Sequence, residues 1–199
     1  MNRISRMVGI VACATLPAVA QAQTSTPARP VSFGVMAGAS VPVGDFGDGN
    51  DVGFTVGAHL LLAPTSMPAL AFRGDVTFDR WKYNGIGSSV VDGNTSTIGV
   101  MGNVILRSSS AMAIKPYVIG GVGLLSSKGS SSVTIGGVTG STESDRSNNL
   151  GVQAGGGLEF QLSGFTTFIE AKFVNAFTKD ANDDRHSANW IPITFGIRF

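Results

Sequence analysis

Apolar and polar residues alternate through most of this chain. At its end, Ile191, Ile193, Phe195, Ile197 and Phe199 alternate with Trp190, Pro192, Thr194, Gly196 and Arg198. A period of two marks an extended strand with one apolar face. The same period recurs earlier. Leu70, Phe72, Val76 and Phe78 share one face with Gly74, opposite Arg73, Asp75, Thr77 and Asp79. Ile98, Val100, Val104 and Leu106 oppose Thr97, Gly99, Asn103 and Arg107. Leu150, Val152, Ala154, Leu158 and Phe160 oppose Gly151, Gln153, Gly155, Gly157, Glu159 and Gln161. Ile169, Ala171, Phe173 and Phe177 oppose Glu170 and Lys172.

The pattern predicts eight strands: 32–41, 52–62, 69–82, 95–107, 114–126, 149–162, 166–178 and 189–199. Their lengths suit a strand that crosses a bilayer at a tilt. The connections 63–68, 108–113 and 163–165 are tight, whereas 42–51, 83–94, 127–148 and 179–188 are long. All the long ones fall on one rim if the strands run up and down, which is the pattern of short periplasmic turns and long external loops. The fold class expected is therefore all-β: an eight-stranded antiparallel up-and-down transmembrane β-barrel over residues 32–199.

Composition separates this reading from a soluble barrel with the same alternation. Charged residues make up 14% of the chain, against roughly 25% in soluble proteins, too few for a solvated polar face. Glycine is abundant, at 27 residues, and it concentrates on the polar side, as a narrow lumen crowded by side chains requires. Aromatic residues gather near strand ends: Phe54, Phe78, Trp81, Tyr83, Phe177 and Trp190 towards the long loops, and Phe33, Phe72, Phe160, Phe165 and Phe199 towards the tight turns. These rows are expected to form two interfacial girdles.

The beginning of the chain reads as an export signal. Arg3 and Arg6 precede the apolar run Met7 to Leu16, and Ala18-Val19-Ala20 and Ala20-Gln21-Ala22 offer small-x-small cleavage sites. Residues 1–22 are expected to be a signal peptide and 23–31 a polar lead. The single cysteine, Cys13, falls within the signal, so the mature chain is expected to form no disulfide. Losing Arg3 and Arg6 leaves 12 basic against 13 acidic side chains. No basic patch of the kind that binds nucleic acid is present.

The final strand resembles the carboxy-terminal assembly signal of bacterial outer-membrane barrels, carried by Ile193, Phe195, Ile197 and Phe199. Residues 33–46 and 53–58, with Lys115-Pro116-Tyr117-Val118-Ile119-Gly120-Gly121-Val122-Gly123, resemble hairpins of small OmpX/OmpA-type barrels. The resemblance covers essentially the whole mature chain. It implies residence in the bacterial outer membrane, recognition by the barrel-assembly machinery, and contact with outer-membrane lipid and lipopolysaccharide. It does not name an activity, because such barrels include adhesion proteins, small pores, anchors and a few lipid-modifying enzymes. No peptidoglycan-binding domain is expected after the last strand.

The expected lumen residues are Arg73, Asp75, Asp79, Arg107, Glu159, Glu170, Lys172 and Arg198, four basic and four acidic. Charges in a narrow low-dielectric interior must pair or stay hydrated. The expectation is a salt-bridge network that plugs the barrel. A gated ion path lined by these charges is the alternative. His59 is expected to face the lumen as a satisfied interior histidine. His186-Ser187 is expected in the last long loop. Lipid A deacylases of this barrel class use a His-x-Ser pair on a strand, and adjacent residues depart from that pattern, so no catalytic site, cofactor or metal is expected. Asp45, Asp48, Asn50 and Asp51, and Asp180, Asn182, Asp183 and Asp184, make two acidic loops without EF-hand spacing. Residues 127–148 are rich in Ser, Gly and Thr, interrupted by Val133, Ile135 and Val138. They read as a hydrophilic loop shielding the barrel mouth, or as a hairpin whose edge adds a partner's strand. The function expected is structural or surface-interaction, through loops that meet a surface ligand.

Overall fold

A computed structural model describes residues 30–84, 91–108, 113–135, 138–143, 146–179 and 185–199. The expected signal peptide, most of the polar lead and the acidic positions Asp180, Asn182, Asp183 and Asp184 lie outside the described residues. The strands are β1 (Val31–Val43), β2 (Gly53–Leu62), β3 (Leu70–Asn84), β4 (Val91–Arg107), β5 (Ile114–Ile135), β6 (Val138–Glu143), β7 (Ser147–Gln161), β8 (Thr166–Lys179) and β9 (Arg185–Arg198). One short helix, α1 (Asp45–Asp48), interrupts the β1–β2 connection.

Eight of these strands close on themselves. The hydrogen-bonded order is β4-β3-β2-β1-β9-β8-β7-β5, and β4 pairs with β5 to complete the ring. All the pairings are antiparallel. The seam between β1 and β9 runs from Val43↔Asn189 to Gly34↔Arg198. Phe199 extends it, its amide donating to the Phe33 carbonyl at 2.8 Å. Closure leaves no unpaired edge in the wall, as a low-dielectric surround demands.

The strands outrun the sequence estimates at one rim. β3 and β4 pair up to Asn84↔Asp92, and β4 and β5 up to Val91↔Val133. Beyond that rim β5 turns back into β6, paired through Ile135↔Val138. Within 127–148, β5 and β6 pair as a hairpin from Ser130↔Glu143 to Ile135↔Val138, which corrects the expectation of a plain hydrophilic loop there, and ladders likewise continue into the connections after β3 and β8. At the opposite rim the β7–β8 turn is tight. Gly164 sits at φ 95°, and the Leu162 amide donates to the Phe165 carbonyl at 3.0 Å. A side chain at that φ would be strained.

The wall is inverted relative to a soluble barrel. Val122 and Leu124 are 61% and 65% exposed, while Asp75 and Glu170 are each 1% exposed. The apolar rows predicted on β3, β4, β7 and β8 all face outward. Roughly 25 cal/mol per Å² of apolar surface opposes leaving such a wall in water, and an outward apolar band around a closed barrel is the lipid-facing pattern of transmembrane barrels.

Candidate functional site: the lumen and its outer mouth

The lumen is filled in layers. Towards the tight turns, Leu61, Ala71, Ile105, Tyr117 and Ile119 form an apolar cluster. These are the inward positions at the turn-side ends of β2 to β5. Beside it, Arg198 Nη1 lies 2.8 Å from Glu159 Oε1, and Arg107 Nη1 lies 4.0 Å from Glu159 Oε2.

The central layer is a brace across the barrel. β3 and β8 stand four strands apart whichever way the ring is followed, so they face each other across its diameter. Each presents two inward charges at i and i+2: Arg73 and Asp75 from β3, Glu170 and Lys172 from β8. The Arg73 guanidinium forks onto both carboxylates. Its Nη1 and Nη2 donate to Glu170 Oε2 and Oε1, each at 2.8 Å, and its Nε donates to Asp75 Oδ1 at 2.7 Å. Lys172 Nζ reaches Glu170 at 3.0 Å and Asp75 at 3.4 Å. The Tyr117 hydroxyl donates to Glu170 Oε2 at 2.7 Å. Two cations and two anions make the layer neutral, and its carboxylates are satisfied by planar, bidentate geometry. That geometry offsets the desolvation that buried charges incur.

Above the brace, Ser40 Oγ donates to Asp79 Oδ1 at 3.0 Å. A cavity of about 10 Å³ lined by Thr55, Thr77, Asp79, Lys172 and Trp190 remains there, room for about one water. At the outer mouth Trp81, Met101, Leu125, Val174, Ala176 and Trp190 form an apolar cluster, here called the stopper. Trp81 meets Trp190 edge-on at 5.3 Å, and Trp81 Nε1 donates to the Ser40 carbonyl at 3.1 Å. Phe46 of α1 lies over both rings, 5.2 Å from Trp81 and 6.2 Å from Trp190. The chain enters α1 through Gly44, whose φ of 63° lets β1 turn inward over the mouth.

Inward glycines make room for the fillers. A Cβ on Gly157 would fall 2.5 Å from the Tyr117 hydroxyl oxygen, and one on Gly196 would fall 2.2 Å from the Phe168 ring. The glycine-rich polar face is thus the complement of large inward side chains on neighbouring strands.

All eight charged residues singled out in the sequence point inward. Arg73, Asp75, Glu170 and Lys172 meet in the brace; Arg107, Glu159 and Arg198 meet near the turn rim; Asp79 joins neither group and bonds Ser40. His59 is buried edge-on against Phe168 at 5.3 Å, but neither ring nitrogen has a protein hydrogen-bond partner, so the expectation of a satisfied histidine is corrected in that respect. Ile193, Phe195 and Phe199 face outward, and Phe199 stacks obliquely on Phe33 at 5.6 Å across the seam.

Two further expectations are overturned. Trp81 and Trp190 are 1% and 2% exposed and belong to the stopper, not to the outer girdle. Both lie at loop-side depth, but their strand parity is that of Arg73 and Arg198. Phe54, Phe78 and Phe177 do face outward on that side, and Phe33, Phe72, Phe165 and Phe199 on the other. His186-Ser187 lies in β9 rather than a loop, with Thr178↔His186 paired. Consecutive strand positions address opposite faces. Tyr117, Ser40 and Phe46 are lumen residues beyond the charged set that alternation singles out. Tyr117 and Ser40 carry the inward parity of their strands, but Phe46 gives no periodic signal. Among the described residues, no group of three or more His, Cys, Asp or Glu side chains is placed to hold a metal ion, and no helix is long and apolar enough to cross a membrane.

No family model and no curated protein matches the chain. Solved structures do. Neisserial surface protein A is 18% identical, with 85% of this chain and 96% of that one covered at a TM-score of 0.54. A major outer-membrane protein from Thermus thermophilus is 13% identical, with 86% and 99% covered at a TM-score of 0.51. At these identities the likeness is one of fold. Taken with the apolar belt and the ionic interior, it makes this chain an eight-stranded β-barrel with the fold of the small bacterial outer-membrane barrels.

Proposed function

We propose that this protein is a closed, non-conducting and non-catalytic barrel of the outer membrane that acts as a structural or surface-interaction element. The Arg73–Asp75–Glu170–Lys172 brace carries this reading. It joins opposite walls with strand-borne side chains, so a continuous water path would require breaking buried charge pairs. The stopper of Trp81, Trp190 and Phe46 closes the same path a second time. The loop-side rim, extended by β5 and β6 beyond the barrel, is the surface offered to a ligand. The lipid partner is the outer-membrane bilayer with its lipopolysaccharide, and the Ile193–Phe195–Ile197–Phe199 face is the segment that the barrel-assembly machinery would read. Nucleic acid is not a partner.

Planar-bilayer recording tests the closed state. The refolded barrel is expected to give no stable current steps, and loop exchange at residues 127–148 is expected to change ligand binding without creating them. Sustained steps whose selectivity changes in Glu170→Gln would support the pore reading instead. Altered lipid A on expression, abolished by His186→Ala, would support an enzyme.

A further inference from the structure

The lumen holds two buried ionic groups, and only one of them is balanced. The central brace sets Arg73 and Lys172 against Asp75 and Glu170. Near the turn rim, Arg107 and Arg198 share the single carboxylate of Glu159. They share it unequally. Arg198 Nη1 donates to Glu159 Oε1 at 2.8 Å, whereas Arg107 Nη1 stands 4.0 Å from Oε2. Nε and Nη2 of Arg107 are buried and have no hydrogen-bond partner in the protein. Lys115 has the inward parity of Tyr117 and pairs with Glu159 in the β5–β7 ladder, so this rim carries a further positive charge.

The brace shows what the free donors are shaped for. Nε and Nη2 lie along one edge of a guanidinium. In Arg73 that same edge grips Asp75, with Nε on Oδ1 at 2.7 Å and Nη2 on Oδ2 at 3.0 Å. Two N–H groups so placed match two oxygens of one carboxylate or phosphate. Arg107 presents the same edge, and the protein supplies no acceptor for it. A buried cation in that condition is costly. An arriving oxyanion would relieve it with opposite charge and two directed hydrogen bonds.

The turn-side segments of the chain do not provide that group. Residues 23–30, 63–68, 108–113 and 162–165 contain no Asp or Glu. The Phe199 carbonyl, beside Arg198, accepts from the Phe33 amide at 3.3 Å. The oxyanion must then come from outside, through the mouth. Arg107 is the last residue of β4, and its side chain is 15% exposed. Its long contact to Glu159 leaves the head free to turn the fork towards the opening. Short turns mark the periplasmic end of such barrels.

We infer that Arg107, backed by Arg198 and Glu159, forms a binding site for one oxyanion at the turn-side mouth: the carboxylate or phosphate group of a small periplasmic solute. Arg107 grips the group side-on. Arg198 holds Glu159 away from the fork. The site lies below the brace, so it needs no path through the barrel and goes beyond the closed-barrel reading. Current steps in a planar bilayer would count against that reading and not against this site.

Solution NMR of the refolded barrel in micelles tests it through the Nε–Hε resonance of Arg107, assigned by its loss in Arg107→Lys. Acetate and inorganic phosphate are the probes, with chloride at equal ionic strength as the control. A saturable shift with at least one probe is expected, with the Arg73 resonance unmoved, and the tighter probe names the class. Arg107→Lys is expected to weaken binding, read from the probe's own resonance, by about tenfold or more, because an ammonium cannot make the paired contact. Glu159→Gln is expected to tighten it severalfold, because the carboxylate that competes for both guanidinium groups is gone. A shift that does not saturate, one matched by chloride, or unchanged binding in Arg107→Lys would overturn the site. Weaker binding in Glu159→Gln would overturn the account of a missing anion. Heat-modifiable mobility on SDS gels reports whether each variant folds, and the titration of the parent protein decides the matter alone where a variant does not.

Discussion

The brace and the stopper occupy the same lumen with opposite chemistry. The brace is ionic and neutral as a set, and its four charged members sit on the two opposed strands β3 and β8. The stopper is apolar, sits at the outer mouth, and takes one of its rings from the β1–β2 connection rather than from the wall. Buried charges depend on one another, because each desolvated ion needs its partner. Buried rings contribute nearly independently, in proportion to the area and contacts they bring. The two regions should therefore respond differently to the loss of one member.

Glu170→Ala is expected to have the largest effect. It leaves Arg73 and Lys172 buried with one carboxylate between them and removes the acceptor of the Tyr117 hydroxyl. A loss of about 4 kcal/mol is expected, measured as a lower urea midpoint in detergent and a lower temperature for loss of the SDS-resistant band. Trp81→Ala should follow, at about 3 kcal/mol, because it empties the centre of the stopper and orphans the Ser40 carbonyl. Phe46→Ala should cost only about 1 kcal/mol, since it removes two ring contacts at a half-buried site and leaves the Trp81–Trp190 pair in place. Smallest of all should be the double change Arg73→Leu/Glu170→Leu. It removes one cation and one anion together and leaves Lys172 opposite Asp75, so the net change should fall within about 1 kcal/mol. A double variant as damaged as Glu170→Ala would mean that the brace is not a balanced set. A Phe46→Ala loss as large as that of Trp81→Ala would mean that the loop ring, not the wall, holds the stopper together.

The barrel itself is legible in alternation and loop lengths, because a period of two fixes the face of every strand residue once one is known. The same rule places all eight charged residues inside. It also applies to Trp81 and Trp190, where nearness to a strand end suggests a girdle but parity points into the lumen. Rim depth does not distinguish a girdle from a stopper; face does. What alternation cannot give is the partner of each charge. Arg73 and Glu170 are separated by 97 positions, and their meeting depends on ring order and stagger, quantities with no local signature. Phe46 is hidden for a related reason. A four-residue helix in a connection has no periodic face to read, and its place over the mouth follows from the turn at Gly44 and from the indole rings already there. The extension of β4 and β5 past the rim is half visible, in Val133, Ile135 and Val138, but a Ser- and Thr-rich ladder resembles a loop in composition.

The orientation of the wall underlies all of this and can be measured without touching the lumen. The only cysteine is Cys13, within the expected signal, so single spin labels at Val104, Leu124 and Phe195 can be placed on a cysteine-free barrel in lipid vesicles. Collision with dissolved oxygen should be high at all three and collision with a polar nickel chelate low, as for hydrocarbon-facing sites. Free access of the chelate to these labels, with oxygen no more effective than in water, would contradict a lipid-facing apolar belt.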